Sequence, residues 1–240
     1  MGFPDIEAIV VDVLGTLVDE PSGIGAGIRV LAPSHDEAAV SELVALWQRH
    51  VDHEQRLIVA GERPYAASHE LDREAAQHVA DAVGVEDAAA LARLARSGRC
   101  LSPWPDTVAG LARLAVQRPL IGLSNASRSA LLGLNFHAGL RWHQALSAED
   151  ARTYKPDPSV YELAVAAAGA EPQRLLMVAA HAWDLRGAQK LGMRTAYVAR
   201  PVGDPPASTD RFDFHAENLA DLADQLPSPD VAYGSAVVMA

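Results

Sequence analysis

At 240 residues the chain can bury a full core, as one large domain or as a domain with a second one inserted. Its 49% hydrophobic and 21% charged residues are those of a globular protein, and a formal net charge of -11 argues against nonspecific binding to nucleic acid or anionic membranes. Cys100 is the only cysteine, which excludes an intramolecular disulfide and suits a cytoplasmic setting.

Met1 to Val10 lacks the basic and apolar regions of a signal peptide, and no stretch has the length and apolarity of a membrane span. A soluble protein is expected. The first clear element is a strand over residues 6–15, an apolar, β-branched run that ends in glycine. A glycine-rich loop is expected after Pro21. From about Asp36 to Gly98 the text is helical, with Leu43, Leu46, Trp47 and His50 on one face and Ala75, Val79, Val83, Leu91 and Leu94 continuing the pattern. This stretch reads as an all-helical insertion.

From Pro103 onward helix and strand alternate. Asp106 can cap a helix through Leu114, and Pro119 leads into a strand ending at Ser124. A helix is expected over 127–135, a short strand over 143–147, and a helix from Pro158 to about Ala168. A strand over 175–180, a helix over 184–191 and a strand over 195–198 follow, then a proline-rich loop over 201–206. The segment after Pro227 is expected to be partly disordered. This order gives an α/β fold: a doubly wound, parallel, Rossmann-like sheet with an inserted all-helical domain. The expected division is a core of residues 1–20 and 100–240 and a helical cap of residues 21–99.

Ligands of such sheets bind beyond the carboxyl ends of the strands. Asp12 and Thr16, Ser124 and Asn125, Lys155, and His181 and Asp184 all fall at that rim. A carboxylate at a strand end needs a partner, which Lys155 and turn amides can supply, and so held it can act as a nucleophile. Each residue also has a plainer reading. Asp12 can brace a turn, Ser124-Asn125 and Asp184 can cap helices, Lys155 can be a solvated surface lysine, and His181 can be a satisfied loop residue.

The segments DVLGTLVD from Asp12, LSNAS around Ser124, YKPDPSVYELA from Tyr154 and VAAHAWDLRGAQKLGM from Val178 resemble the haloacid dehalogenase superfamily, most closely its L-2-haloacid dehalogenase (type II) branch. The resemblance covers nearly the whole chain, with the helical insertion in the place of that branch's cap. It implies that Asp12 forms an ester with the substrate carbon, which water then hydrolyses. It implies that Thr16, Ser124 and Lys155 orient the nucleophile and hold the carboxylate of a small-molecule substrate. Asn125 would line the leaving-group side, Tyr161 and Asp184 would be supporting polar positions, with Asp184 holding Lys155, and Trp183 would be an aromatic of the site; the expected substrate-binding residues are Leu14, Gln48, Arg49, Asn125, Tyr161, His181 and Trp183. Relatives of this kind commonly dimerise, so a homodimer is an expectation, and no cofactor or metal is implied.

Most of the superfamily are magnesium phosphatases with a second aspartate two residues after the nucleophile. Here that position is Leu14, and Ala180 stands where an acidic ligand four residues before Asp184 is usual. Phosphoryl transfer is therefore disfavoured. The halide side departs from the type II pattern as well: Gln48 follows Trp47 where an arginine is usual, and Arg49 is turned about 100° further round the helix. Leu14 replaces a tyrosine, Ala67 stands near an expected phenylalanine, and Ala179 and His181 replace serine and asparagine. The expected activity is (S)-2-haloacid dehalogenation. Azetidine-2-carboxylate ring opening by the same attack is the alternative, with His181 as a proton-handling candidate. A non-catalytic binding protein is the rival from another class.

Overall fold

The computed structural model describes residues 5–226, so the segment after Pro227 lies outside the described residues. Six strands form one parallel sheet in the order β3-β2-β1-β4-β5-β6: β1 (Ala8–Val11), β2 (Leu120–Ser124), β3 (Gln144–Ser147), β4 (Leu175–Ala179), β5 (Arg194–Val198) and β6 (Phe214–Ala216). The expected parallel α/β fold is the one observed. Strand β1 lies centrally and is buried throughout, because its residues alternate between two apolar layers. Ile9 and Val11 face one cluster with Leu111, Leu114, Leu134, Leu219 and Leu222. Ala8 and Val10 face the other with Val160, Tyr161, Leu185 and Ala188.

Helices α5 (Thr107–Gln117), α6 (Arg128–Ala138) and α9 (Leu219–Gln225) supply the first layer, and α7 (Pro158–Ala168) and α8 (Ala182–Lys190) supply the second. The chain steps outward from β1 to β2 and β3, then returns to β4 on the opposite side. That reversal opens a crevice at the carboxyl ends of β1 and β4.

Between β1 and β2 run α1 (Glu20–Leu31), α2 (Glu37–Val59), α3 (Ser68–Val83) and α4 (Ala88–Leu94). They share a separate apolar cluster built on Ile24, Ile28, Leu43, Trp47, Val79 and Leu94. The expected glycine-rich loop after Pro21 is in fact α1. The Asp19 carboxylate caps it by accepting from the Ser22 amide at 3.1 Å, and Pro21 sits in the first turn, where a missing N–H is harmless. Its glycines permit close packing, since a Cβ at Gly27 would press on Leu94 and Ser97. No described helix is long and apolar enough to cross a membrane.

Two further departures concern Asp106 and the chain after β5. Asp106 precedes α5 but makes no side-chain cap; its carboxylate pairs with Arg200 at 2.7 Å and accepts from the Leu219 amide at 2.9 Å. A bidentate guanidinium partner competes successfully with a capping bond. Strand β6 and helix α9 went unanticipated, being only 3 and 7 residues long.

Gly110 tests this packing. An alanine in an open helix gains about 1 kcal/mol over glycine, but a Cβ at Gly110 would run into the Leu219 side chain of α9. Overpacking costs about 1–3 kcal/mol, so Gly110→Ala should lower stability, read as an earlier urea midpoint.

Candidate active site

Asp12 leaves β1 into the turn Val13-Leu14-Gly15-Thr16, with its own amide still bonded to the Val178 carbonyl at 2.9 Å. The turn closes when the Leu17 amide bonds back to Val13 and Gly15 takes φ +74°, where a side chain would also strike the His181 ring. The Thr16 hydroxyl donates to Asp12 Oδ2 at 2.6 Å and accepts from the Ala180 amide at 2.9 Å. It ties the end of β1 to the end of β4.

Lys155 reaches Asp12 Oδ1 at 3.0 Å and Asp184 Oδ2 at 2.8 Å, with 1% of its side chain exposed. Burial lowers the affinity of this amine for its proton, but the two carboxylates outweigh burial and hold it above the usual lysine range. Asp184 stands in the first turn of α8. Burial raises its carboxyl most; Lys155 lowers it and Asp12 raises it again. Its other oxygen accepts from the Tyr161 hydroxyl at 2.7 Å, and burial beside this carboxylate drives the phenol far above its usual range. Thus Lys155, Asp184, Tyr161 and Thr16 form a buried frame beneath Asp12.

Above the frame is a cavity of about 320 Å³. Asp12 keeps 9% of its side chain exposed and lines that cavity with Leu14, Trp47, Gln48, Asn125, His181 and Trp183. His181 lies over the turn, its Nε2 3.2 Å from the Leu14 carbonyl, and its ring packs 5.8 Å from Trp183. Asn125 spans two elements: its Oδ1 accepts from the Lys155 amide at 3.0 Å, and its Nδ2 donates to Gln55 Oε1 of α2 at 3.0 Å.

Three sequence expectations are corrected. Ser124 is wholly buried and does not line the cavity; its hydroxyl accepts from the Ala126 amide at 3.0 Å, so it shapes the turn ahead of α6 rather than facing a ligand. Tyr161 lies in the floor, bonded to Asp184, and is likewise no part of the cavity wall. Arg49 is exposed and outside the cavity, because one step along α2 turns it away from Gln48.

The cavity also has polar walls that sequence reasoning missed: Glu20 from α1, Asp52 and Gln55 from α2, Ser68, His69 and Asp72 from α3, and Arg99. Burial pushes the Glu20 and Asp72 carboxyls up to about 7, further raised at Glu20 by Asp72 and opposed at Asp72 by Arg99. The signal available in the sequence was spacing, since Gln48, Asp52 and Gln55 share a helix face, as do Ser68 and Asp72.

Asp12 Oδ1 and Asp184 Oδ2 converge on one ammonium, and no described group of three or more His, Cys, Asp or Glu is arranged to hold a metal. The arrangement suits a carboxylate nucleophile steadied by a fixed cation.

Comparisons with known proteins agree with this geometry. The family model for haloacid dehalogenase-like hydrolases matches residues 6–192. The chain is 31% identical over 200 residues to (S)-2-haloacid dehalogenase H-109 of Pseudomonas putida, spanning 81% of this chain and 86% of that protein. It is similar to a crystal structure of a defluorinating L-2-haloacid dehalogenase, with TM-score 0.84 and 31% identity over 92% of this chain and 95% of that one. It is also similar to the L-2-haloacid dehalogenase of Xanthobacter autotrophicus with chloropropionic acid covalently bound, with TM-score 0.80 and 25% identity over 96% of this chain and all of that one.

Removing the cation exposes what it holds. Lys155→Met leaves two buried carboxylates unpaired, a loss of about 3–5 kcal/mol at neutral pH. Without Lys155 both carboxyls prefer to be protonated in the folded state, so the loss should grow above the unfolded carboxylate range near 4 and shrink below it. Urea denaturation at pH 5 and pH 8 reads the difference; equal destabilisation at both would refute the ionic account.

Proposed function

The chain belongs to the haloacid dehalogenase-like hydrolases, and from that premise we propose that it displaces the C2 substituent of a small 2-substituted carboxylic acid through an aspartyl ester on Asp12. The preferred activity is (S)-2-haloacid dehalogenation. One observation carries this reading: a carboxylate at the end of β1 is fixed by Lys155 and Thr16 and has its exposed edge turned into a cavity. Held this way, Asp12 attacks C2 from the side opposite the halogen. The substrate carboxylate rests against Asn125 and Ala126, ahead of α6, whose N-terminal field favours an anion. Water then attacks the ester carbonyl carbon, returning Asp12 and releasing the 2-hydroxy acid. In the same proposal the described parts of residues 1–20 and 100–240 form the catalytic core and residues 21–99 form a cap that carries the far wall of the cavity.

Gln48 in the wall, with Arg49 outside it, and the carboxyls of Glu20, Asp52 and Asp72 favour one second reading. An acid-lined cavity suits a substrate whose C2 substituent is an ammonium, and azetidine-2-carboxylate ring opening is that case. Turnover of both enantiomers of 2-chloropropionate and of azetidine-2-carboxylate separates the two. Faster turnover of (S)-2-chloropropionate supports the first reading, and faster azetidine turnover the second.

Both readings require the ester. Asp12→Asn should lower turnover by several orders of magnitude while the fold persists. A single turnover in heavy-oxygen water should label Asp12 rather than the product; label found first in the product would make Asp12 a general base.

Metal plays no part in the proposed route, since Lys155 occupies the place between Asp12 and Asp184. Turnover should survive excess EDTA. Loss on chelation with recovery in magnesium would favour phosphoryl transfer, readable with p-nitrophenyl phosphate.

A further inference from the structure

Glu20 is the first residue of α1 and lines the cavity that holds Asp12. Its carboxyl makes no hydrogen bond or ion pair among the described residues, whereas the Asp12 carboxylate beside it is held by Thr16 and Lys155. The charged groups facing it are Asp12 at the end of β1, Asp52 of α2, Asp72 of α3 and His181 ahead of α8. Three of these four are acids. The guanidinium of Arg49 lies outside the cavity, and that of Arg99, which does line it, acts on Asp72 and is not among the charges facing Glu20.

A halide leaving C2 carries away the electron pair of the C–X bond. It needs either a cation or a hydrogen-bond donor at its place of departure. We propose that Glu20, as an uncharged carboxylic acid, is the donor that receives the departing halide in this cavity. The proposal rests on the Asp12 displacement reading and assigns a specificity residue to it. The proton stays on Glu20. Asp12 gains the bond to C2, C2 loses the bond to halide, and the later attack by water yields the 2-hydroxy acid, halide and one proton.

The acid form is available because burial and the neighbouring Asp72, Asp12 and Asp52 charges push Glu20 up to about 7, against the pull of His181. Below that pH Glu20 donates; above it a carboxylate faces the halide and repels it. Halide release, as kcat/KM, should therefore fall as pH rises through about 7.

The test measures chloride release from (S)-2-chloropropionate between pH 5.5 and 9 for wild type, Glu20→Gln and Glu20→Leu, with mass spectrometry of the Asp12 ester in single turnovers. Glutamine keeps an N–H donor and cannot titrate, so its profile should lose the alkaline fall. Leucine removes the donor, and its rate should lie roughly tenfold to a hundredfold below that of glutamine. An alkaline fall retained in Glu20→Gln, or equal rates for the glutamine and leucine variants, overturns the proposal while an Asp12 ester leaves the displacement reading intact. A wild-type rate that rises through pH 7 overturns it in favour of carboxylates that serve a cationic substituent. Absence of both chloride release and ester in the wild type sinks the Glu20 assignment together with the haloacid reading it rests on.

Discussion

The structure depends on one ammonium group shared between two carboxylates under a parallel sheet. Lys155 bridges Asp12, just past the end of β1, and Asp184, in the first turn of the helix that follows β4, at the reversal in strand order. Each of the three would be costly to bury alone, and the penalty is offset only where every oxygen finds a donor. That condition explains the surrounding residues: Thr16 takes the second oxygen of Asp12 and Tyr161 the second oxygen of Asp184. The trio leaves a net negative charge buried, and its only outlet toward solvent is the edge of Asp12 that faces the cavity. Reactivity is thereby confined to one carboxylate of the two.

Much of this was legible in the sequence because buried parallel strands are nearly continuous apolar runs. The runs at Ile9 to Val11, Leu120 to Leu123 and Leu175 to Val178 mark strands whose polar ends must meet at one rim. Asp12, Lys155 and Asp184 were readable as a constellation for that reason, and Lys155 does reach Asp12. The direction of a side chain at a strand end was not readable. Ser124 and Asn125 are adjacent, yet one turns under the turn it shapes and the other lines the cavity, a choice made by the Ala126 amide and by Gln55.

The cavity's far wall was illegible for a different reason. Gln48, Asp52 and Gln55 on α2, and Ser68 and Asp72 on α3, have the spacing of an ordinary solvated helix face. Only contacts distant in sequence reveal that these faces look inward. Gln55 meets Asn125, and the Ser127 amide donates to Ser68 at 2.7 Å, so α2 and α3 are both fastened to the loop after β2. Helix α1 was misread because glycine lowers helix propensity, whereas here it serves the packing of Leu94 and Ser97.

This division of labour constrains how the protein can differ from its relatives. The frame under Asp12 tolerates little change, since altering Thr16, Lys155, Tyr161 or Asp184 leaves a buried polar atom without its partner. Glu20, Gln48, Asp52 and Asp72 on the walls from α1, α2 and α3 are under no such constraint, because, unlike those of Gln55 and Ser68, their side chains make no hydrogen bond among the described residues. In the proposed displacement the chemistry belongs to the sheet, and the choice of substituent at C2 to α1, α2 and α3. On that proposal the carboxyls on those walls would decide the choice by their ionisation. As neutral acids, Glu20 and Asp72 would tolerate a departing anion and as carboxylates they would favour a cation; burial, aided at Glu20 by the Asp72 charge and opposed at Asp72 by Arg99, pushes both up to about 7 rather than the usual acid range.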